Sequence, residues 1–250
     1  MSLKKKRYTV PDLLRGIAVL SMIVYHVLWD LVYIFDVPFP WFRSEGATVV
    51  QLGIRWAFLL ISGFCWSFGK RALKRGAFVL LCSAVISGVT AIVTPKSLIL
   101  FGVLTLIGLG MILTVPLHRW TKRVPPLLGL AVCTLLFILT ANIRRGAIDI
   151  FGYPLVQLPT GLYANYFTAC LGFPPTGFHS SDYVPLIPWI FLYWIGYYLY
   201  RIMERYNLLN HLSCISQKHL EWIGRHALII YMVHQPLIYG ILTVLFHFIE

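Results

Sequence analysis

Apolar runs of about 20 residues recur along this chain, and that length is the thickness of a bilayer's hydrocarbon core expressed in helical residues. Their positions predict spanning helices over 12–36, 46–68, 76–94, 98–117, 125–141, 184–203 and 224–248. A soluble domain cannot absorb seven such runs, because it needs a polar exterior and usually carries about 25% charged residues. Here 58% of the 250 residues are hydrophobic and 12% are charged. The expected fold class is therefore all-α, a polytopic integral membrane helical bundle of about seven transmembrane helices.

The charge distribution orients that bundle. The net charge is +12, from 21 Lys and Arg against 9 Asp and Glu. In a soluble protein such an excess points to nucleic acid, but here it sits in short loops between apolar runs. Alternate segments hold 15 of the 21 basic residues: Lys4, Lys5, Lys6 and Arg7; Lys70, Arg71, Lys74 and Arg75; Arg119, Lys122 and Arg123; Arg201, Arg205, Lys218 and Arg225. The opposite loops hold Arg43, Lys96, Arg144 and Arg145. Positive loops stay on the cytoplasmic side. The N-terminus is thus expected inside, and an odd number of spans puts Glu250 outside. The expected location is the cytoplasmic membrane, multi-pass, with no nucleic-acid partner.

Residues 142–183 break the pattern. Pro154, Pro159, Pro174 and Pro175 interrupt them, and the apolar piece near 161–173 is too short to span. This is expected to be a non-spanning outer segment, interfacial or re-entrant, whose backbone needs protein or water against it. The run after Lys4–Arg7 is too long for a signal-peptide core, and no small-residue cleavage pattern follows it. No repeat or soluble domain is evident, so 1–250 reads as a single membrane domain. Cys65, Cys82 and Cys133 lie in apolar runs without CxxC spacing and read as small buried hydrophobes.

Arg15, His26, Asp30, Arg55 and His234 lie in the apolar runs. A centrally placed Arg or Asp costs roughly 2.5–3.5 kcal/mol on insertion scales, so such residues face the bundle interior and commonly mark a functional path. Arg15, Met22, His26, Trp29, Asp30 and Tyr33 share one face of the first helix. His26 lies roughly 20 Å from the cytoplasmic start of that helix. An i, i+4 His–Asp pair can hydrogen-bond, which suits a general base or nucleophilic imidazole; it can equally satisfy itself and fix helix packing. Arg55 can bind a carboxylate or diphosphate, or serve as counter-ion to Asp30. Asp182 can cap a helix or meet Asp30 and His26 at the mouth of a pocket. His234, followed by Gln235 and Pro236, can reach a thioester or bridge two helices. Ser62 and Gly63 allow close helix approach. No ligand spacing for a metal is present.

The run Asp12-x-x-Arg15-Gly16 with Met22 and His26 resembles the first helix of the membrane acyltransferases related to heparan-α-glucosaminide N-acetyltransferase, including a bacterial branch once known only as a domain of unknown function. Arg55-Trp56 through Ser62-Gly63, Asp182-Tyr183 with Pro185 and Pro188-Trp189, and Tyr231-x-x-His234-Gln235-Pro236 match in the same order. The resemblance implies acetyl-CoA used from the cytoplasm as acyl donor and co-substrate, and a sugar or glycan acceptor on the outer side. It implies His26 as base or acyl carrier with Asp30 beside it. It further implies Arg15, Arg55, Asp182, Tyr183, Trp189, His234 and Gln235 about the substrates, and Lys70, Arg71, Lys74 and Arg75 at the CoA phosphates. The chain is shorter than the lysosomal enzyme and has fewer helices, which points to a bacterial envelope sugar rather than a glycosaminoglycan. The expected partners are the lipid bilayer, the acyl-CoA donor and the acceptor, with a homo-oligomer left open.

Buried Arg, His and Asp also serve transporters of lipid-linked sugars or small solutes, but the inverted repeats typical of secondary transporters are not visible. A non-catalytic membrane scaffold accounts for the bundle but not for its buried charges. The charge pattern makes a direct prediction: reporter fusions at Lys74 and Lys122 should read cytoplasmic and a fusion at Arg144 outside. A cytoplasmic signal at Arg144 removes the seven-span topology.

Overall fold

Residues 8–150 and 153–248 are described by a computed structural model. The basic arm Lys4, Lys5, Lys6 and Arg7 and the terminal Glu250, which the charge pattern assigns to opposite sides, lie outside the described residues. The long helices are α1 (Thr9–Tyr33), α2 (Glu45–Cys65), α3 (Ala72–Val93), α4 (Val103–Thr121) and α5 (Pro126–Leu139). The short α6 (Tyr166–Leu171), then α7 (Leu186–Arg205), α8 (Lys218–Arg225) and α9 (Ala227–His247) complete the order. Many large apolar side chains point outward: Val24, Val49, Phe78, Leu81, Ile92 and Leu127 are each more than half exposed. That is the exterior of a protein solvated by lipid.

Among the described residues, six helices are long and apolar enough to cross a membrane: Thr9–Tyr33, Glu45–Phe68, Ala72–Val93, Val103–Thr121, Pro126–Arg145 and Ala227–His247. The sequence reading has a further span at 184–203. The corresponding helix, α7, is 20 residues long but less apolar, because it carries tyrosines and ends in Arg201, Glu204 and Arg205. Its tyrosines are interior residues: Tyr193 and Tyr197 are fully buried.

The helices form two compact units, Met1–Phe58 with Asn207–Glu250, and Leu59–Tyr206. In the first unit α1 packs against α8 and α9. Ala18, Val19, Met22, Phe58 and Ala227 make its core. In the second, α3 packs on α4, and α7 on both α4 and α5. Cys133, Tyr197 and Tyr198 are buried together there. None of the five cysteines forms a disulfide among the described residues.

Several boundaries differ from expectation for physical reasons. Lys74 and Arg75 were expected in a loop but lie in the first turns of α3, because long basic side chains are good helix formers. The helix expected at 224–248 is α9, which begins at Ala227; Gly224 and Arg225 belong instead to the separate α8, divided from it at His226. In α8, Lys218, His219, Glu221 and Arg225 alternate with apolar residues, a pattern that reads as a loop. Among the described residues, the segment 142–183 contains no spanning helix, and α6 is only six residues long. It also holds an antiparallel hairpin, β1 (Ala147–Ile150) and β2 (Tyr153–Gln157), with a bulge between Ile148 and Asp149. Pro154 lies within β2 and is accommodated because a two-stranded pairing leaves β2 an edge.

Glycine sets the closest helix approaches. A Cβ on Gly16 would lie 2.1 Å from the Leu220 carbonyl oxygen of α8, and one on Gly224 would lie 1.8 Å from that of Asp12 in α1. In the second unit a Cβ on Gly63 would lie 1.8 Å from the Tyr193 oxygen, and one on Gly196 would lie 2.1 Å from that of Leu60. Each contact is backbone to backbone, so no rotamer change relieves it. Around Gly53 nothing lies within 4 Å. Gly63→Ala and Gly224→Ala should each lose about 1–3 kcal/mol of stability. Gly53→Ala should be neutral or slightly stabilising, because alanine favours helix. Thermal unfolding of the three variants in one detergent checks this.

Candidate active site

The polar centre of the first unit is built by α1 and α9. Helical spacing puts His26 and Asp30 one turn apart on α1, while His234 and Gln235 are consecutive on α9. Asp30 is fully buried. Gln235 Nε2 donates to its Oδ1 at 2.7 Å. The expected partners of this carboxylate were His26, one turn earlier, and Arg55. The observed hydrogen bond instead crosses to α9, and Asp30 Oδ2 has no hydrogen-bond partner among the described residues. Gln235 Oε1 is likewise buried and unpartnered among the described residues. Both oxygens are acceptors, so the cluster has a surplus of acceptors and a shortage of donors.

The two imidazoles lie beside each other. The His26 and His234 rings are 4.8 Å apart between centroids, tilted by 55°. His234 Nδ1 stands 2.7 Å from the Tyr231 carbonyl oxygen. A carbonyl only accepts, so Nδ1 carries the hydrogen and neutral His234 presents Nε2 as an acceptor. Pro236 follows within α9 and removes one more backbone donor from this region. Tyr25 and Tyr231 flank the pair, edge-on to His26 at 6.1 Å and tilted to His234 at 5.4 Å. No group of three or more His, Cys, Asp or Glu able to hold a metal occurs among the described residues.

The other expected site residues are placed as follows. Arg15 lies about three turns from His26 along α1. Its guanidinium is 3.3 Å from Asp12 Oδ1 and donates to the Gly224 carbonyl at 3.4 Å. It therefore clamps α8 to α1. Arg55, on α2, lies within electrostatic reach of Tyr25 rather than paired to Asp30.

Asp182, Tyr183 and Trp189 belong to the second unit. Asp182 Oδ2 accepts from the Val103 backbone N–H at 3.3 Å, so the carboxylate caps α4, not the helix that follows it in sequence. Tyr183 donates to the Ala169 carbonyl at 2.5 Å, and Arg144 stacks over its ring at 4.8 Å. Burial pushes its phenol well above the ordinary tyrosine range. Trp189 packs edge-on against Phe137. Arg71 adopts a left-handed conformation at φ 58° just before α3, and Lys70, Arg71 and Lys74 are exposed. Arg75 donates to the Trp66 carbonyl at 3.3 Å.

A multi-pass helical membrane protein with two adjoining histidines, His234 buried and His26 half-buried, and a buried carboxylate with one unpartnered oxygen among the described residues is thereby defined. The chain matches the family model described as heparan-alpha-glucosaminide N-acetyltransferase, catalytic, over residues 7–236, and it belongs to that family. No curated protein and no solved structure gives a significant match. The match ends at Pro236 and includes His26, Asp30, His234 and Gln235.

The Asp30–Gln235 bond is the polar tie between α1 and α9. Gln235→Leu strands a buried carboxylate and should cost about 2–3 kcal/mol. The double variant Asp30→Leu/Gln235→Leu should cost less than the sum of its singles, because neither polar group is left behind. A double-mutant cycle of thermal stability in detergent measures this. Strict additivity would contradict the pairing.

Proposed function

We propose that this protein is a membrane acetyltransferase that passes an acetyl group from cytoplasmic acetyl-CoA to a hydroxyl or amine of a sugar or glycan on the outer side. Its membrane is proposed to be the cytoplasmic membrane. The observation that carries the reading is the acceptor surplus at the α1–α9 centre. Asp30 Oδ2 and Gln235 Oε1 are buried without donors, beside two imidazoles 4.8 Å apart. A buried polar group without a partner is costly. A substrate hydroxyl or amine brings the missing hydrogens, whereas an apolar or purely anionic ligand does not. Membership of the N-acetyltransferase family supplies the reaction class.

In this reading His26 is the general base. Its imidazole takes the proton from the acceptor oxygen or nitrogen as that atom attacks the thioester carbonyl. The carbon–sulfur bond breaks, and the imidazolium returns its proton to the departing thiolate. Asp30 and Gln235 orient the acceptor through the two free oxygens and lower the cost of the transient imidazolium. His234, holding its Nδ1–H on the Tyr231 carbonyl, presents a fixed ring face to His26. Lys70, Arg71 and Lys74 are assigned to the CoA phosphates, as charges exposed at one end of the second unit.

Losing a general base typically costs about 10²–10⁴-fold in rate. His26→Ala should lose acetyl transfer by that factor while keeping its melting temperature. Asp30→Asn should lose less, because the imidazole remains. The assay is transfer from acetyl-CoA to glucosamine, read as free CoA thiol, alongside thermal unfolding of both variants. Full activity in a well-folded His26→Ala protein would sink the assignment.

A further inference from the structure

The second unit carries a cleft that the acyl-transfer reading does not use. It has a volume of about 420 Å³ and is lined by Lys122, Arg123, Val124, Pro125, Pro126, Arg201, Glu204 and Arg205. Four of its eight lining residues are cations and one is an acid. The cleft forms where α4 ends, α5 begins and the last turn of α7 passes. Arg201 is committed to structure: its two terminal nitrogens donate to the Thr121 carbonyl at 2.6 Å and the Lys122 carbonyl at 3.2 Å. It thus caps the carbonyl end of α4. Glu204 accepts from Tyr200 at 3.0 Å. Lys122, Arg123 and Arg205 are exposed, and no hydrogen bond or ion pair engages their side chains among the described residues.

Topology alone does not account for this arrangement. Keeping a loop on the cytoplasmic side needs positive charge near the membrane, but it does not need those charges to converge on one concavity. There they repel each other, with a single carboxylate to offset them. The repulsion is relieved by an anion. The first turn of α5 adds to the effect: Pro125 and Pro126 line the cleft, and the N–H groups of Leu127 and Leu128 are not used within the helix. A tetrahedral phosphate suits separate Lys and Arg donors around a pocket.

We propose that this cleft binds the phosphate headgroup of an anionic membrane phospholipid. The lipid source follows from position. The cleft opens at the ends of helices whose outer faces are apolar. Leu127 and Leu128, just inside it on α5, are each 55% exposed, and Trp120 on α4 is 82% exposed. Acyl chains have an apolar wall to follow from the phosphate, and Trp at such a level is an interfacial residue. Basic pockets between spanning helices are the usual sites for such headgroups.

The test is native mass spectrometry of the full chain released from nanodiscs of phosphatidylglycerol or phosphatidylcholine. Lipid titration by thermal shift in detergent accompanies it. Phosphatidylglycerol should be retained selectively and should raise the melting temperature. Each cation removed should weaken it about fivefold, so Lys122→Gln/Arg123→Gln/Arg205→Gln should weaken it on the order of a hundredfold. Arg119→Gln removes a nearby exposed charge outside the cleft and should change binding little. Equal retention of the two lipids would overturn the proposal, as would an Arg119→Gln loss matching the loss per cation in the triple variant. Stabilisation by adenosine 3′,5′-bisphosphate without any effect of phosphatidylglycerol would assign the cleft to a soluble phosphate and overturn the lipid source.

Discussion

Inside hydrocarbon there is no water to bond a peptide or a polar side chain, and the organisation of this chain follows from that lack. Backbone groups are satisfied by helix wherever the chain is apolar over about 20 residues. Polar side chains must then find partners on neighbouring helices. In the second unit several do so, although Arg75 Nε, Thr121 Oγ1 and the Tyr193 hydroxyl are buried without a hydrogen-bond partner among the described residues. The Tyr197 hydroxyl meets His118 Nδ1 at 2.6 Å. Trp66 donates to the Met111 carbonyl, and Trp194 to Thr114 Oγ1, each at 3.0 Å. The bond to His118 offsets the cost of burying the Tyr197 hydroxyl on this tyrosine-rich helix.

Hydrocarbon also removes the usual reason for helices to associate, since lipid tails are as apolar as leucine. Close approach takes over. Gly16 and Gly224 let α1 and α8 touch backbone to backbone, and Gly63 with Gly196 do the same for α7 and the end of α2. The contacts are reciprocal, each pair placing one glycine on either helix. In the first unit this packing, with the Arg15 clamp to Gly224, fixes α8 against α1. At the polar centre, the bond from Gln235 to Asp30 ties α9 to α1.

Of the buried groups without a partner, those gathered at the α1–α9 centre carry the functional reading. Asp30 Oδ2 and Gln235 Oε1 stand beside two imidazoles and lack donors. The basic cleft at the start of α5 has the opposite imbalance, with Lys122, Arg123 and Arg205 exposed beside the committed Arg201. The hydroxyl or amine proposed for one centre and the phosphate proposed for the other answer these opposite imbalances. Chemistry in a membrane has to be assembled from such deficits, because any group fully paired within the protein is already committed.

Periodicity and charge made much of this legible in the sequence. Apolar runs fixed the helices to within a few residues, and the cost of burying His26, Asp30 and His234 marked the polar centre before any packing was known. Residue motifs spread along the chain pointed to the family. What sequence spacing could not decide was which partner each group takes. Residues four apart on a helix are neighbours by geometry, so His26 and Asp30 suggested a pair. The carboxylate instead bonds Gln235, more than 200 positions away, because the α1–α9 contact brings an amide nitrogen to 2.7 Å. Asp182 sits just before a helix in sequence yet caps α4, 79 positions earlier. Helix formation is local and can be read along one strand of text. Hydrogen-bond choice is settled by whichever donor the packing brings within reach, and that belongs to the tertiary structure alone.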